Sequence, residues 1–115
     1  MQAVDSYIAQ FSPEVQQRLL VIRDFVWQWF SCHGVCGEKI YHSIPTLMLD
    51  GREVFNYGAY RDFITLYIGY APAEALKTEY PQLWFSKASV RIPHSSPFPP
   101  GLLDTVCETI WKNMK

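Results

Sequence analysis

Residues 38–60 read E-K-I-Y-H-S-I-P-T-L-M-L-D-G-R-E-V-F-N-Y-G-A-Y and decide the fold class. The stretch is rich in β-branched and aromatic residues, and Asp50-Gly51 near its centre is a strong signal for a tight hairpin turn. Pro45 is expected to interrupt the first arm, because proline has no backbone N–H to donate. The stretch therefore predicts an antiparallel hairpin whose return strand spans residues 53–60.

Further strands are predicted on the C-terminal side of this hairpin. A turn at residues 61–62 leads into residues 63–69, where isoleucine and leucine alternate with Phe63, Thr65 and Tyr67. Such alternation is typical of a strand with one face buried in a core and the other face outside it. Residues 88–92 predict one more strand, which ends at Pro93.

Helices are predicted at both ends of the chain. Ser12-Pro13-Glu14 is a helix start, and the apolar residues that follow recur every three or four positions until Gly34, which is expected to close the helix in a left-handed conformation. A short helix should precede Ser12, another should cover residues 71–76, and an amphipathic helix should follow Pro100. Because short connections favour pairing in chain order, we expect a single α+β domain over residues 1–115. Its mainly antiparallel sheet should have four or five strands, flanked by N-terminal helices and a C-terminal helix.

Composition excludes several classes of function. The 115 residues are 49% hydrophobic and 18% charged, which predicts a packed globule, and ten basic against eleven acidic residues leave a net charge of −1. We therefore expect neither nucleic acid nor a membrane as a partner, since no net positive field attracts a polyanion and no apolar run is long enough for a bilayer. The odd number of cysteines, three, fits reduced thiols and a cytoplasmic, unexported protein.

Three segments together resemble the YdhG-like domain family, whose function is unknown. They are residues 4–16, residues 38–46 (E-K-I-Y-H-S-I-P-T) and residues 86–93 (S-K-A-S-V-R-I-P), and the resemblance covers nearly the whole chain. Some relatives are described as frataxin-like intracellular iron chaperones. The resemblance thus implies a small cytoplasmic α+β domain with a role in iron delivery, and it implies no set of catalytic residues.

The strand residues suggest a ligand site made of aromatic rings and cations. The candidates are Lys39, Tyr41, Tyr57 or Tyr60, Tyr67, Lys87 and Arg91. Tyrosines lining a cleft are typical of small-ligand pockets, and an arginine can hold a carboxylate or phosphate through two parallel hydrogen bonds. The alternative is that the tyrosines are cross-strand packing pairs and the cations are solvated.

Cys32, His33 and Cys36 form the most metal-like cluster, because thiolate and imidazole suit zinc or ferrous iron. A closed zinc site needs four ligands, and no second pair has a suitable spacing, so the alternative is a set of small residues packed at a helix end. We expect no cofactor from the residues themselves, and iron enters only through the family resemblance.

No catalytic motif is present. His42-Ser43 and His94-Ser95-Ser96 place imidazole beside hydroxyl groups, but neighbours along a strand point to opposite faces. The leading hypothesis is a non-catalytic intracellular binding domain for a small ligand or a protein segment, with an iron-binding chaperone and an unrecognised enzyme as alternatives. The four tryptophans exceed what the helices must bury, which suggests a homodimer interface.

Overall fold

The computed structural model describes residues 3–114 as an α+β fold. Its elements are α1 (Ala3–Ala9), α2 (Pro13–Ser31), β1 (Cys36–Tyr41), β2 (Ile44–Leu49), β3 (Arg52–Ala59), β4 (Phe63–Tyr67), α3 (Tyr70–Glu79), β5 (Trp84–Phe85), β6 (Ser89–Pro93) and α4 (Leu102–Met114). The strands form an antiparallel sheet in the order β1-β2-β3-β4-β6-β5. The predicted fold class is confirmed, but the described residues contain six strands rather than four or five.

One additional strand arises because residues 38–49 contain a hairpin of their own. His42 and Ser43 have φ angles of 53° and 68°, so a two-residue turn separates β1 from β2. Such a turn needs positive φ at both central residues and is usually built from asparagine and glycine. Histidine and serine give a weak turn signal in the sequence, and the prediction of an interruption at Pro45 missed this turn.

Pro45 lies within β2, opposite Ile40 of β1. In a two-residue hairpin the pair next to the turn is hydrogen-bonded and the following pair is not, so Pro45 has no N–H bond to give to β1. On the other side of β2 the register with β3 begins only at Thr46. The missing N–H group of Pro45 therefore leaves no gap in the sheet.

The Asp50-Gly51 turn is confirmed, with φ angles of 50° and 80°. It joins β2 to β3, and the register shifts between Leu47 and Met48. Leu47 pairs with Phe55 and Met48 with Glu53, so Val54 is the extra residue of a β-bulge.

The strand order after β4 differs from pairing in chain order. β4 pairs with β6, and the two-residue strand β5 pairs with the other edge of β6. The prediction of pairing in chain order relied on short connections between consecutive strands. The ten-residue helix α3 lies between β4 and β5, so these two strands are not joined by a short connection. A strand of two residues also has too few positions to show an alternating pattern, so β5 was missed.

Helix α2 begins as predicted, with the Ser12 hydroxyl accepting a hydrogen bond from the Val15 amide at 3.4 Å. It ends at Ser31 with Cys32 as its C-cap. Gly34 does not have a positive φ, so the predicted left-handed closure is wrong. A Cβ atom at residue 34 would lie 2.5 Å from the Asp50 carboxylate, so glycine leaves room for that side chain.

The chain divides into two compact units, residues 1–57 and residues 58–115. In the first unit, α1 and α2 pack on β1 and β2, and the apolar helix residues face Leu47, Leu49 and Phe55 of the strands. In the second unit, α3 packs on α4 and β6, and the core is formed by Ile64, Leu66, Leu76, Val90, Ile92, Leu102, Val106 and Ile110. None of the helices in residues 3–114 combines the length and the apolar character needed to cross a bilayer.

Arg23 links three elements of the first unit. Its guanidinium group donates to Asp5 of α1 at 2.6 Å and forms a two-point ion pair with Glu38 of β1. These two carboxylates raise the pKa of Arg23 above its usual value, against the opposing effect of burial. The group therefore stays charged while it fixes α1 and β1 to α2.

Candidate functional site

The second unit has a cleft on the face of β4, β6 and β5 that the apolar core does not occupy. On β4 the core residues Ile64 and Leu66 alternate with Phe63, Thr65 and Tyr67. On β6 the alternation continues in register, because Thr65 is opposite Arg91 and Tyr67 is opposite Ser89. The cleft has a volume of about 290 Å³ and is lined by Tyr60, Phe63, Thr65, Tyr67, Trp84, Ser86, Ser89 and Arg91. We call it the Arg91 cleft.

Arg91 is held between two aromatic rings. Its guanidinium carbon lies 4.0 Å from the centroid of the Trp84 ring and 4.3 Å from that of Phe63. Trp84 is the direct partner of Arg91 across β5 and β6, whereas Phe63 is its diagonal neighbour on β4. The two rings stabilise the cation, and packing against them also fixes the position of a long side chain.

The charge of Arg91 is not neutralised by any residue that the structure describes. No carboxylate within residues 3–114 lies within 4.0 Å of its guanidinium nitrogens, and no side chain in that range accepts a hydrogen bond from them. The guanidinium carbon lies over both rings, and the group carries five N–H donors. The cleft thus holds a positioned set of charged donors.

Two pairs of hydroxyl groups lie along the same cleft. The Tyr60 and Tyr67 hydroxyls are 2.8 Å apart, and those of Ser86 and Ser89 are 2.5 Å apart. The Ser86 oxygen also accepts a hydrogen bond from the Ala88 amide at 3.3 Å. Within the serine pair, one hydroxyl donates its proton to the other. The accepting hydroxyl still has its own proton, which it can donate to a ligand. Thr65 and Ser89 are buried, so the floor of the cleft is polar.

The structure brings together only part of the predicted ligand site. Tyr67 and Arg91 both line the Arg91 cleft, and of the two tyrosines left open it is Tyr60 that joins them. Lys87 is exposed in the turn between β5 and β6 and does not line the cleft. The lysine was predicted as a positive charge at the edge of the cleft, but it lies in the turn and does not line the cleft.

Lys39 and Tyr41 lie in the first unit, on the exposed face of β1. The Lys39 ammonium is 4.8 Å from the centroid of the Tyr41 ring and 3.4 Å from a carboxylate oxygen of Glu53. The Lys39 ammonium and the Tyr41 ring therefore both have contacts within the protein. Tyr41 contacts a lysine of its own strand rather than a residue across the sheet, so the cross-strand pairing of the alternative is not seen at this position.

Tyr57 is buried in the first unit, with 2% of its surface exposed, so the prediction that it lines an open cleft is wrong. Its hydroxyl group is buried and has no hydrogen-bond partner among residues 3–114. Burial, with a smaller contribution from Glu38, raises the pKa of Tyr57 well above its usual value. Alternation along β3 placed this tyrosine on the core face, and a tyrosine at such a position is easily mistaken for a surface residue because of its polar tip.

The side chains of the predicted metal cluster bond to backbone carbonyls of α2 instead. Cys32 donates to the Gln28 carbonyl and Cys36 to the Trp27 carbonyl, each at 3.6 Å. The His33 ring stacks on Trp29 with centroids 4.5 Å apart. Within residues 3–114, no three His, Cys, Asp or Glu side chains come together in an arrangement that could hold a metal ion.

Sequence reasoning missed five of the cleft residues, namely Phe63, Thr65, Trp84, Ser86 and Ser89. The alternation of residues 63–67 already placed Phe63 on the same strand face as Tyr67, and this signal could have identified it. Trp84 and Ser86 gave no comparable signal, because Trp84 lies in a strand of only two residues and Ser86 follows that strand. The contact between Trp84 and Arg91 depends on the register between β5 and β6.

Comparison with solved structures assigns the architecture. The crystal structure of a DUF1801-family protein from Bacillus subtilis, YdhG, matches with a TM-score of 0.83 over 96% of this chain and 90% of that chain. This chain has the fold of YdhG. The two sequences are 13% identical over the match, so the likeness establishes the fold and not a shared activity. The sequence matches no protein-family model and no curated protein.

Proposed function

We propose that this protein is a YdhG-like, non-catalytic binding domain that binds a small ligand through an oxyanion group in the Arg91 cleft. The observation that carries the proposal is Arg91 itself, held between Phe63 and Trp84 without an acceptor among the described residues. A half-buried guanidinium is partly removed from water, and an oxyanion would restore the hydrogen bonds that it has lost.

The charge of the cleft favours an anion. Arg91 is the one charged residue among the eight that line it, and the other polar side-chain groups there are hydroxyls and the indole N–H of Trp84. An oxyanion would accept hydrogen bonds from the guanidinium and from the Ser86 and Ser89 pair. Carboxylate and phosphate share this chemistry, so both are suitable head groups.

The pairing of the hydroxyl groups supports binding rather than catalysis. A hydroxyl nucleophile needs a neighbouring general base, usually histidine or a carboxylate. In the Arg91 cleft the hydroxyls pair with each other, and the eight lining residues include no such base. The cleft therefore offers donors for recognition without an activated nucleophile.

Anion titrations test this proposal. Acetate and inorganic phosphate are titrated separately into the ¹⁵N-labelled protein, and the amide shifts of β4 and β6 are followed. We expect Arg91→Met to weaken binding about tenfold or more, because charged hydrogen bonds contribute about 1.5–3 kcal/mol. Lys87→Met is the matched control, since it removes one positive charge from a neighbouring position outside the cleft.

Equal losses in the two variants would contradict the proposal, because they would show attraction by general surface charge. The absence of any saturable shift in the wild-type protein would also contradict it. Thermal unfolding of both variants checks that each is folded at the titration temperature.

A further inference from the structure

A second cavity shares a wall with the Arg91 cleft. It has a volume of about 360 Å³ and is lined by Asp62, Phe63, Gln82, Leu83, Trp84, Arg91 and Pro93. Phe63, Trp84 and Arg91 line both cavities. These three residues therefore border both cavities, and we call them the ridge.

The two cavities differ in chemistry. The Arg91 cleft presents four paired hydroxyl groups. The second cavity adds Leu83 and Pro93 to the two shared rings, and its lining is mostly apolar although Asp62 and Gln82 also border it. Trp84 has 52% of its surface exposed, which leaves a large apolar area for a ligand to cover. A ligand that crosses the ridge would meet hydrogen-bond donors at one end and apolar surface at the other.

We propose that the two cavities together bind one amphipathic acid, with its oxyanion head at Arg91 and the serine pair and a hydrocarbon body in the second cavity. This inference rests on the proposed function and specifies its ligand class. A cavity of this size is at the lower end of the range for small-molecule sites, so the body has the size of one aromatic ring or a short branched chain.

Asp62 determines the orientation of this ligand. Its carboxylate lines the second cavity and not the Arg91 cleft. An anionic group placed beside Asp62 would be repelled, whereas the same group beside Arg91 would be attracted. The site should therefore select acids with a single anionic head over acids that carry an anion at both ends.

The test compares ligands that share a head group but differ in the body. Phenylacetate is expected to bind at least tenfold more tightly than acetate, since covering about 60 Å² of apolar surface suffices for that factor. Phenylacetamide, which has the same ring but no charge, should bind more weakly than phenylacetate. Phenyl phosphate replaces the carboxylate and shows which of the two oxyanions the site prefers.

Two variants assign the effect to the second cavity. Leu83→Asn should remove most of the gain of phenylacetate over acetate and leave acetate binding unchanged. Val35→Asn is the matched control, because Val35 is an exposed apolar residue of the first unit. This variant should change the affinity for neither phenylacetate nor acetate. Asp62→Asn alters only a charge at an exposed position and should improve binding of 1,4-phenylenediacetate, with little effect on phenylacetate.

The outcomes separate the two proposals. Acetate and phosphate could bind at Arg91 while phenylacetate binds no more tightly than acetate, or Leu83→Asn and Asp62→Asn could leave every affinity unchanged. Either result would show that the proposal of an amphipathic ligand is wrong, while the proposed anion site would still hold. If none of the anions binds, the proposed function itself is wrong. A gain that Leu83→Asn abolishes and Val35→Asn preserves supports the inference.

Discussion

Arg91 and Trp84 stand directly opposite each other in the β5–β6 pair, and the Arg91 guanidinium carbon lies 4.0 Å from the centre of the Trp84 ring. Trp84 is half exposed, yet this contact gives it a role in holding the short edge strand β5. A cross-strand pair of this kind links the proposed ligand site to the stability of the strand that carries it.

Trp84→Ala should therefore lower the free energy of unfolding, by about 1–2 kcal/mol, because it removes a cation–π contact and a cross-strand pair. Tyr70→Ala is the control, since Tyr70 is 73% exposed at the start of α3 and its loss should cost less than about 0.5 kcal/mol. Urea unfolding of both variants gives the comparison. Equal losses would show that Trp84 is an ordinary surface ring.

Tyr57→Phe should leave the free energy of unfolding unchanged or raise it by up to about 1 kcal/mol. The variant removes a buried hydroxyl that has no hydrogen-bond partner, so no bond is lost. Thr46→Val also removes one buried hydroxyl, but that hydroxyl accepts from Asn56 Nδ2 at 2.6 Å, and its loss should cost about 1–2 kcal/mol. Chemical denaturation distinguishes the two, and a comparable loss in both variants would mean that Tyr57 is bonded in solution.

Gly34→Ala should destabilise the protein by about 1–3 kcal/mol, because the new Cβ atom would lie 2.5 Å from Asp50 Oδ2. Relief of this clash would displace the carboxylate from the Val35 amide, which donates to Asp50 Oδ1 at 2.9 Å. Gly37→Ala is the matched control, since the nearest atom to its new Cβ would be 3.9 Å away. Its thermal midpoint should stay at or above that of the wild type.

Cys107 should make stability depend on alkaline pH. Burial, with a smaller effect of Asp104, raises the pKa of its thiol from 9.0 to about 12. As the pH rises, the thiol loses its proton in the unfolded chain before it does so in the folded protein. The contribution of the protonated thiol to the free energy of unfolding is therefore complete below pH 9 and is lost as the pH rises towards 12. Between pH 9 and pH 10 the thiol should lower the free energy of unfolding by about 1 kcal/mol.

Cys107→Ala separates this effect from other titrations. The variant is less stable at neutral pH because it leaves a small cavity, but its stability should fall less steeply between pH 9 and pH 10. Identical slopes in the two proteins would contradict a raised thiol pKa. Thiol labelling gives a second check, because Cys32 is exposed and should react at once, whereas Cys107 should react only on unfolding.

The sequence by itself determined the elements whose signals are local. Ser12 and Pro13 specify the start of α2, Asp50-Gly51 specifies the turn between β2 and β3, and the alternation on β4 specifies its buried face. Each signal acts over a few residues, through a cap, a positive φ or a period of two. Arg91 and Tyr67 were recognised as site residues for the same reason, since their chemistry and strand position are visible locally.

Only the tertiary structure decided which side chains accompany Arg91. Phe63 and Trp84 lie 28 and 7 positions before it in the chain, and both come against it through the registers of β6 with β4 and β5. Register depends on burial of one strand face across the whole sheet, so no short stretch encodes it. The sheet also places Tyr57 in the core and Lys87 in a turn outside the cleft. The position of a residue on a packed face therefore determines what it can bind, whatever its type.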